Sequence, residues 1–427
     1  FISKLNFCSL NLSKRFKFKK IFKKVMQKMI QIVVLGSTGS IGKIVLSIVR
    51  KYPRKFKIIA LVANNNVQLI SEQCIEFSPK YVILSNERSS KILNEILKNN
   101  QCPTKVLFGK NKFEELSNIN SVNYIVSAIT GIDGLIPTIK FVRKGRKILL
   151  ANKESLISCG KLFLEEVKKY ESQILPIDSE INAIFRMLPK DFHSNLGFFN
   201  LEKIGINKIT LTGSGGPFLT LSNSQLDSIT PEEACRHPKW KMGKKISVDS
   251  ATMINKGFEY IEAKYFFNID FDQIEILIHP QSVVHAMIHC IDGSVIAKLG
   301  VPKMITAISY GMFYPSQCDK SIQETLDLKK IHSLTFLKPN YEKYPCLKLV
   351  MEVCQSGRQS KVTALNAANE IAVSAFLSRK IKFTDIFKIN SEVLERSNFQ
   401  EPKTIEEIVD IDFESRKIAI QQVKSYH

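Results

Sequence analysis

Short runs of consecutive apolar residues, separated by segments with helical periodicity, dominate the chain up to residue 178. The runs are continuous rather than alternating, which is typical of parallel strands that are buried on both faces. They are Ile30–Leu35, 57–62, Tyr81–Leu84, 124–128 and Lys147–Leu150. Strands that alternate with helices, the first of which covers 44–49, predict an α/β fold with a doubly wound parallel sheet in residues 29–178.

The pattern changes after residue 178. A helical stretch over 253–267 stands among strand candidates at 208–212, 275–278, 283–291 and 294–299, and Asp292-Gly293 between the last two is a hairpin signal. This mixture predicts an α+β catalytic domain over residues 179–314. A linker over 315–340 and a small C-terminal helical domain over 341–427, with amphipathic segments at 347–353 and 363–377, complete the predicted architecture.

Charge is concentrated at the start of the chain. Residues 1–28 hold nine Lys or Arg and no acid, so of the net charge of +21 the rest of the chain carries 21 − 9 = +12. We expect this basic extension to lie outside the core. It is either an organelle transit peptide or, as we favour, a translated upstream stretch with Met29 as the true start.

Composition excludes several other classes of protein. We expect no nucleic-acid partner, since no basic stripe is interleaved with aromatic residues beyond residue 28, and no membrane partner, since no apolar run approaches about 20 residues. The nine cysteines are odd in number and include no CxxC pair, which argues against a disulfide framework or a zinc site. The remaining basic charge suits a phosphorylated substrate or NADPH.

A glycine loop follows the first predicted strand. Gly36, Gly39 and Gly42 stand between a strand and a helix, where a dinucleotide pyrophosphate binds in a Rossmann-like domain. The second strand ends at 63–66 with Asn64, Asn65 and Asn66, without the acid that usually holds the ribose hydroxyls of NAD. NADPH is therefore the favoured cofactor, although no Lys or Arg stands there to attract its 2′-phosphate.

Three carboxylates suggest a metal site. Asp178 and Glu180 lie at what resembles a strand end, which would place them on one side, and Glu259 lies on the helix over 253–267, one turn after Asn255. Carboxylates without clustered His or Cys suit Mg²⁺ or Mn²⁺. Spacing alone favours ordinary surface acids, because it does not show that residues 178 and 259 meet.

Further polar residues are candidates for substrate contacts. Gly213-Ser214-Gly215-Gly216 offers unhindered amides for an anion, which Ser250, Asn255 and Lys256 would complete, and a solvated turn is the alternative. His237 and Trp240 lie in a Pro- and Gly-bounded segment typical of a mobile lid, although the Trp could simply anchor a loop. His285 and His289 share a strand face, where we expect core or interface histidines; a metal-binding pair is the alternative.

Eight motifs, in unbroken order from Met29 towards the C-terminus, resemble the 1-deoxy-D-xylulose 5-phosphate reductoisomerase family. They are Gly-Ser-Thr-Gly-Ser-Ile-Gly (36–42), Leu-Leu-Ala-Asn-Lys-Glu-Ser (149–155), Asp-Ser-Glu (178–180), Thr-Gly-Ser-Gly-Gly-Pro-Phe (212–218), Cys-Arg-His-Pro-Lys-Trp (235–240), Ser-Val-Asp-Ser-Ala-Thr-Met-Ile-Asn-Lys-Gly-Phe-Glu (247–259), His-Pro-Gln-Ser (279–282) and Thr-Ala-Leu-Asn-Ala-Ala-Asn-Glu (363–370). The resemblance implies NADPH- and metal-dependent conversion of 1-deoxy-D-xylulose 5-phosphate to 2-C-methyl-D-erythritol 4-phosphate, in non-mevalonate isoprenoid biosynthesis, by a homodimer.

The resemblance also implies residue roles. The expected metal ligands are Asp178, Glu180 and Glu259, and the expected catalytic residues are Lys153, Glu180 and His237. The expected substrate contacts are Ser179, Ser214, His237, Trp240, Ser250, Asn255 and Lys256, with Trp240 and Met242 on the lid. The expected cofactor contacts are Gly36, Thr38, Gly39, Ser40, Ile41, Asn64, Asn65, Asn66, Asn152, Lys153, Glu154 and Gly243.

Four positions depart from the family pattern. Ile181 stands where a His is frequent, Asn65 where a Lys often lies near the cofactor adenosine, and Lys303 and Ile305 where an Asp and an Arg are usual. There are two alternatives to this assignment. One is another two-domain NADP-dependent reductase, of the semialdehyde dehydrogenase type with a cysteine nucleophile. The other is a non-enzymatic binder that uses residues 1–28. The expected compartment is the cytoplasm of a bacterial-type cell, or a plastid-like organelle if residues 1–28 are a transit peptide.

Overall fold

The computed structural model describes residues 29–426, apart from 110, 241, 317–321 and 323. The basic segment 1–28 and its predicted separation from the core therefore lie outside the described residues. Within them, no helix is long and apolar enough to cross a bilayer.

Seven parallel strands form the first sheet of the described chain, in the order β4-β3-β2-β1-β5-β6-β7. They are β1 (Ile30–Leu35), β2 (Phe56–Val62), β3 (Tyr81–Leu84), β4 (Lys105–Phe108), β5 (Tyr124–Ser127), β6 (Lys147–Leu150) and β7 (Gln173–Pro176). The direction of winding reverses between β1 and β5. Ligands of such sheets bind beyond the carboxyl ends of the strands at this reversal, so the predicted Rossmann-like sheet is confirmed with its crevice beside residues 36 and 128.

Helices cover both faces of this sheet. They are α1 (Ser40–Lys51), α2 (Val67–Phe77), α3 (Glu87–Asn99), α4 (Lys112–Ser117), α5 (Leu135–Val142), α6 (Lys153–Cys159) and α7 (Lys161–Lys169). The loop between β1 and α1 passes very close to its neighbours. Gly36, at φ +86°, lies against the carbonyl of Ala128, and a Cβ on Gly42 would stand 2.5 Å from the Gly36 oxygen. Only glycine permits this approach of loop, strand and helix.

The second sheet has the order β11-β10-β8-β9, with β8 parallel to β9 and β10 antiparallel to both its neighbours. Its strands are β8 (Ile206–Gly213), β9 (Ile274–Ile278), β10 (Val284–Cys290) and β11 (Val295–Leu299), and the helices in this part of the chain are α8 (Ser179–Met187), α9 (Pro231–Ala234), α10 (Lys244–Ala251), α11 (Ile254–Phe267) and α12 (Ile305–Phe313). The predicted α+β region and its Asp292-Gly293 hairpin are confirmed, with Gly293 at φ +85°.

The chain ends in four helices, which confirms the predicted helical C-terminal region. They are α13 (Pro345–Gln355), α14 (Gln359–Leu377), α15 (Asp385–Arg396) and α16 (Ile405–Ser425). Helix α14 packs against α15, α16 and α6 and buries polar residues such as Thr363, Asn366 and Asn369 together with its apolar ones. These helices therefore contact the structure around the first sheet directly.

Three elements differ from the expected ones. Asp178 and Glu180 do not alternate on a strand end: β7 ends at Pro176, Asp178 occupies the N-cap position of α8, and Glu180 lies in its first turn. Strand β4 was not predicted, because it lies at the edge of the sheet and is largely exposed. Helix α12 follows the second sheet in the chain but packs against the first, where Phe313 meets Tyr52 and Phe56 edge-on at 5.2 Å. The domain boundaries stay predictions.

Candidate active site

A cavity of about 570 Å³ lies between the carboxyl edge of the first sheet and the second sheet. Most residues singled out from the sequence line it. They are Gly39, Ser40, Ile41, Asn152, Lys153, Glu154, Asp178, Ser179, Glu180, Ser214, His237, Trp240, Met242, Gly243, Ser250, Asn255, Lys256 and Glu259. The glycine loop, the carboxylates and the glycine-rich turn therefore face one shared space.

Five predicted cofactor residues lie outside this cavity. Gly36 and Thr38 precede Gly39 in the β1–α1 loop, and Asn64, Asn65 and Asn66 follow β2 on the exposed surface. The Asn66 side chain caps α2 by accepting a hydrogen bond from the Leu69 amide at 3.1 Å, and the Asn64 side chain contacts Ser85. The Asn65 side chain has no hydrogen bond to any residue that the structure describes, which leaves it available to a ligand.

The three predicted carboxylates meet. One oxygen each of Asp178, Glu180 and Glu259 lie within 4.8 Å of one another. The start of α8 supplies the first two residues and α11 supplies Glu259, which is 1% exposed. A hard divalent cation prefers carboxylate oxygens, and this donor set fits one.

Two lysines neutralise much of this negative charge. Lys153 contacts Asp178 and lies 3.4 Å from Glu259, while Lys256 lies 2.8 Å from Glu180 and also contacts Glu259. Burial opposes the charged form of both lysines, but the adjacent carboxylates outweigh it and raise the pKa of each ammonium. Both side chains are therefore protonated donors at neutral pH.

The carboxylates differ in their pKa values. Burial and then the charge of Glu180 raise the pKa of Glu259 to about 7. Burial also opposes the ionised form of Glu180, but the charge and hydrogen bond of Lys256 lower its pKa below the ordinary value. Asp178 has a raised pKa because it is buried, despite the charge of Lys153. Crowded anions of this kind are stabilised by a cation between them.

A sharp turn between two helices shapes the anion site. Met253, in the left-handed region at φ +60°, separates α10 from α11, so that Ser250 lies in the last turn of one helix while Asn255 and Lys256 lie in the first turn of the next. A Cβ on Gly216 would stand 2.8 Å from the Ser250 carbonyl oxygen, so the glycine-rich turn packs directly on this junction. Free amides at the N-terminus of a long helix favour an anion.

His237 connects the anion site to the lid. Its Nδ1 accepts hydrogen bonds from the backbone amides of Lys239 at 3.1 Å and Trp240 at 2.9 Å. The ring proton therefore resides on Nε2, which lies 3.0 Å from the Ser214 Oγ and donates to it. Burial lowers the pKa of His237 to about 4, against the opposing charge of Glu180. The imidazole is thus neutral, with a fixed tautomer.

Several cavity residues were not predicted. His285, expected in the core or an interface, forms part of the cavity wall, 6.2 Å from the Trp240 ring. Ser282 has the left-handed φ of +54°, and its hydroxyl has no partner among the described residues. Lys245, whose side chain is 20% exposed, forms ion pairs with the buried Glu154 and Asp249. The His-Pro-Gln-Ser motif was the one available signal for Ser282, whereas nothing in the local pattern distinguishes Lys245 from other lysines.

A Rossmann-like sheet with a glycine loop at its winding reversal, an oxygen-only carboxylate cluster and an anion site all border one cavity. Together they are the features of a metal-dependent dinucleotide oxidoreductase with an anionic substrate.

Comparison with known proteins narrows this class to one family. The profile of 1-deoxy-D-xylulose 5-phosphate reductoisomerase matches residues 32–160, and those of two C-terminal domains of the same enzyme match 174–267 and 299–418. The enzyme of this name from Photorhabdus laumondii is 50% identical over 396 residues, covering 93% of this chain and 99% of its own. That from Proteus mirabilis is 50% identical over 382 residues, covering 90% and 96%.

Solved structures agree. A reductoisomerase of this type in complex with NADPH, fosmidomycin and magnesium superposes with a TM-score of 0.87 at 39% identity, covering 93% of this chain and 98% of the other. The Zymomonas mobilis enzyme with NADPH gives a TM-score of 0.83 at 37% identity, covering 93% and 100%. The chain belongs to the 1-deoxy-D-xylulose 5-phosphate reductoisomerase family.

The geometry of His237 yields a test with an internal probe, because Trp240 is the one tryptophan of the chain. His237→Asn retains an acceptor near the Nδ1 position but loses the Nε2 donor. We expect its Trp240 emission to stay close to wild type, while KM for the sugar phosphate rises roughly 10- to 150-fold, the value of one hydrogen bond to a charged group. His237→Ala loses both contacts and should alter the emission as well. Identical emission from all three proteins would show that Nδ1 does not hold the lid.

Proposed function

We propose that this cavity is the active site in which the chain rearranges and reduces 1-deoxy-D-xylulose 5-phosphate to 2-C-methyl-D-erythritol 4-phosphate with NADPH and a divalent metal. This reaction belongs to non-mevalonate isoprenoid biosynthesis. The observation that carries the proposal is the meeting of Asp178, Glu180 and Glu259 in the same cavity as the dinucleotide loop and the anion site. The cytoplasm is the proposed compartment, in keeping with the bacterial relatives.

The metal ligands in this proposal are Asp178, Glu180 and Glu259, with Mg²⁺ or Mn²⁺ as the ion; one solved relative is described with magnesium. When bound, such an ion supplies a Lewis acid to which the carbonyl and adjacent hydroxyl of the substrate are held. Lys153 and Lys256 must release part of their contact with these carboxylates when the ion binds. Their ammonium groups then become available to substrate oxygens in the same cavity.

The proposed catalytic residues divide by protonation state. Lys153, whose Nζ also donates to the Asn255 Oδ1 at 2.9 Å, is a cation and can stabilise negative charge that develops on a substrate oxygen. Glu180 is an ionised acceptor. His237 is a neutral donor through Nε2. Lys153 and His237 therefore present no unprotonated nitrogen to the cavity that could act as a general base. Proton removal falls to a carboxylate or to the substrate's own groups.

The phosphate of the substrate is proposed to bind where the glycine-rich turn meets the start of α11. Ser214, Ser250, Asn255, Lys256 and His237 provide its donors. The Ser214 Oγ already accepts hydrogen bonds from His237 and from the Gly216 amide at 3.1 Å, so its own proton is free to point at a phosphate. Binding energy from this remote group orients the reacting end of the substrate.

The reacting end of the substrate is proposed to lie near Ser179 and below the lid. The Ser179 hydroxyl contacts Glu180, beside the carboxylate cluster. Trp240 and Met242 also line the cavity, and closure of their segment over it would exclude water from the reaction.

The cofactor is proposed to extend from the β1–α1 loop towards the carboxylates. Gly36, Thr38, Gly39, Ser40 and Ile41 would hold its phosphates, and Asn64, Asn65 and Asn66 would face the adenosine end. Asn152, Lys153, Glu154 and Gly243 would contact the nicotinamide half. Asn152 also fixes the loop after β5, since its side chain donates to the Gly131 carbonyl at 2.9 Å.

The departures from the family pattern have identifiable surroundings. Ile181 is fully buried in α8, where an apolar side chain packs without the partner that an imidazole would need. Lys303 pairs with Glu324 at 2.5 Å at the rim of the cavity, and Ile305 lines the wall beside it. The Lys303 departure thus adds a positive charge beside an anionic substrate.

A homodimer is proposed as the assembly. The face of the second sheet that carries Met287 also carries Leu277, Val295 and Ala297, and Val295 is 49% exposed. Strand β11 is in addition an unpaired edge in the described chain. A second copy would cover both features at once, and natural proteins rarely leave such an edge free.

Metal dependence is the first test. Protein stripped of divalent ions should be inactive and regain activity with Mg²⁺ or Mn²⁺. Glu259→Gln should weaken Mn²⁺ binding, measured by calorimetry, by at least about tenfold, because the loss of an outer-shell partner alone costs that much. Glu166→Gln, which removes a carboxylate paired with Arg143 outside the cavity, should bind Mn²⁺ like wild type. Full turnover in excess chelator would rule the metal site out.

Cofactor preference tests the placement of Asn65. Asn65→Lys should raise the ratio of kcat/KM for NADPH over NADH by roughly fivefold, the effect of one exposed ion pair of about 1 kcal/mol, and this gain should shrink in high salt. Asn65→Asp should lower or invert the ratio, because a carboxylate repels the 2′-phosphate. Asn65→Gln is the neutral control. If the ratio is the same in all four proteins, Asn65 does not face the adenosine ribose.

The assembly is tested by mass. Light scattering of the wild-type protein should give twice the mass of one chain, and Val295→Glu combined with Ala297→Glu should lower it towards that of a monomer, because the charges would be buried without partners. Ile420→Glu, on the 45% exposed residue of α16, is the matched control and should leave the mass unchanged. A wild-type monomer would contradict the proposal.

A further inference from the structure

A network of polar contacts leads from the cavity to the C-terminal helices. The Lys245 Nζ lies 2.8 Å from the Glu154 Oε1 and 3.0 Å from the Asp249 Oδ2. The other oxygen of Asp249 accepts a hydrogen bond from the Asn369 Nδ2 at 2.8 Å. Asn369 in turn accepts one from Asn390 at 3.4 Å. Four helices, α6, α10, α14 and α15, are thus joined by side chains that turn away from solvent.

The two ends of this polar network have different surroundings. Glu154 and Lys245 both line the cavity, whereas Asp249 and Asn369 are 1% and 0% exposed and do not. A lysine buried between two carboxylates is costly unless every charge is paired. Two carboxylates carry more negative charge than one ammonium can neutralise. The ion pairs therefore stabilise the ionised form of Glu154 at least as much as they stabilise the charged lysine.

Glu154 is the member that can reach a ligand. Burial alone would raise its pKa, yet the charge and hydrogen bond of Lys245 lower it below the ordinary value. Lys153 on α6 acts in the same direction as Lys245 but more weakly, and the nearby carboxylates are Glu262 on α11 and Glu370 on α14. Lys245 is therefore the principal reason that this carboxylate is ionised in the cavity wall.

The charge of the cofactor decides what such a carboxylate can contact. NADPH carries phosphates, which an isolated carboxylate would repel, and neutral donors on its nicotinamide half, namely ribose hydroxyls and a carboxamide. A carboxylate already neutralised by Lys245 still has acceptor lone pairs for these donors but little net charge to repel the phosphates.

We propose that Lys245 is a positioning residue for the cofactor, which fixes the Glu154 carboxylate as an ionised acceptor for the neutral donors of the nicotinamide half of NADPH. Lys245 is held in turn, through Asp249 and Asn369, by the C-terminal helices. The inference rests on the proposed contact between Glu154 and the cofactor. It gives the C-terminal helices a specific role at the cofactor site.

The consequence for pH dependence follows from the sign of the shift. In Lys245→Met, Glu154 remains buried without its counter-ion, so its pKa rises towards neutrality. The carboxylate is then ionised at high pH and protonated at low pH. KM for NADPH should be close to wild type near pH 9 and should increase at least fivefold as the pH falls to 6, whereas the wild-type value should change by less than twofold after correction for the titration of NADPH itself.

Two controls separate this effect from general damage. Lys244→Met removes the same charge from the neighbouring exposed residue and should produce no new pH dependence. Glu154→Gln should raise KM for NADPH equally at all pH values, and Glu154→Gln combined with Lys245→Met should behave like Glu154→Gln alone. A pH-independent rise in Lys245→Met that simply adds to that of Glu154→Gln would overturn the inference.

The end of this polar network that lies away from the cavity provides a variant that leaves the cavity wall intact. Asn369→Ala should raise KM for NADPH two- to fivefold with the same direction of pH dependence, while KM for the sugar phosphate stays near wild type. Ser415→Ala is the control, because Ser415 is equally buried in the C-terminal helices, on α16, but donates to the Ile411 carbonyl of its own helix. Equal effects from both variants would show that the C-terminal helices support the fold in general and not Lys245 in particular. If Glu154→Gln leaves KM for NADPH unchanged, the failure lies in the proposed cofactor contact of Glu154 and the positioning role falls with it.

Discussion

Mutual repulsion among Asp178, Glu180 and Glu259 is the constraint on which the rest of the cavity depends. Three carboxylates whose oxygens lie within 4.8 Å of one another would not stay ionised in a largely buried site without cations. Lys153 and Lys256 provide two positive charges, so the five groups retain a net charge of −1 when all are ionised. This balance makes the site receptive to a divalent ion and, through the same lysines, to an anionic substrate.

The position of these charges follows from how helices begin. Asp178 and Glu180 lie at the first turn of α8, and Asn255 and Lys256 at the first turn of α11, so both helices direct their positive ends towards the cavity. The left-handed residue Met253 makes the second of these starts possible by separating α11 from α10. Backbone geometry that costs free energy is thus found where charged side chains must converge.

Local pattern predicted the glycine loop and most of the first sheet, but not the exposed edge strand β4. Continuous apolar runs place β1, β3 and β6 at their observed bounds, because a strand buried on both faces imposes its composition directly. The strand end expected at Asp178 was wrong, because a helix begins there, but Asp178 and Glu180 still lie on the same side as expected. A helix start and a strand end can both follow a short apolar run, and periodicity over five residues does not distinguish them.

Contacts between distant parts of the chain were beyond local pattern. The meeting of Asp178 with Glu259 depends on how α11 packs against α6 and α8, and family resemblance rather than spacing anticipated it. His285 was assigned to a core or an interface because strand alternation specifies a face but not what that face adjoins. Lys245 was missed because its importance lies entirely in its partners, Glu154 and Asp249, which are supplied by other turns and elements.

Helix α14 shows how the C-terminal helices are joined to the helices that line the cavity. Its segment looked amphipathic, with polar residues expected to face water, yet Thr363, Asn366 and Asn369 are fully buried. Thr363 donates to the Ser158 carbonyl at the end of α6, and Asn369 holds Asp249. A helix that only covered an apolar surface would not bury these groups, since each must find a partner or cost free energy. Their burial instead fixes α6 and α10 relative to each other, and these two helices carry Lys153, Glu154 and Lys245 into the cavity.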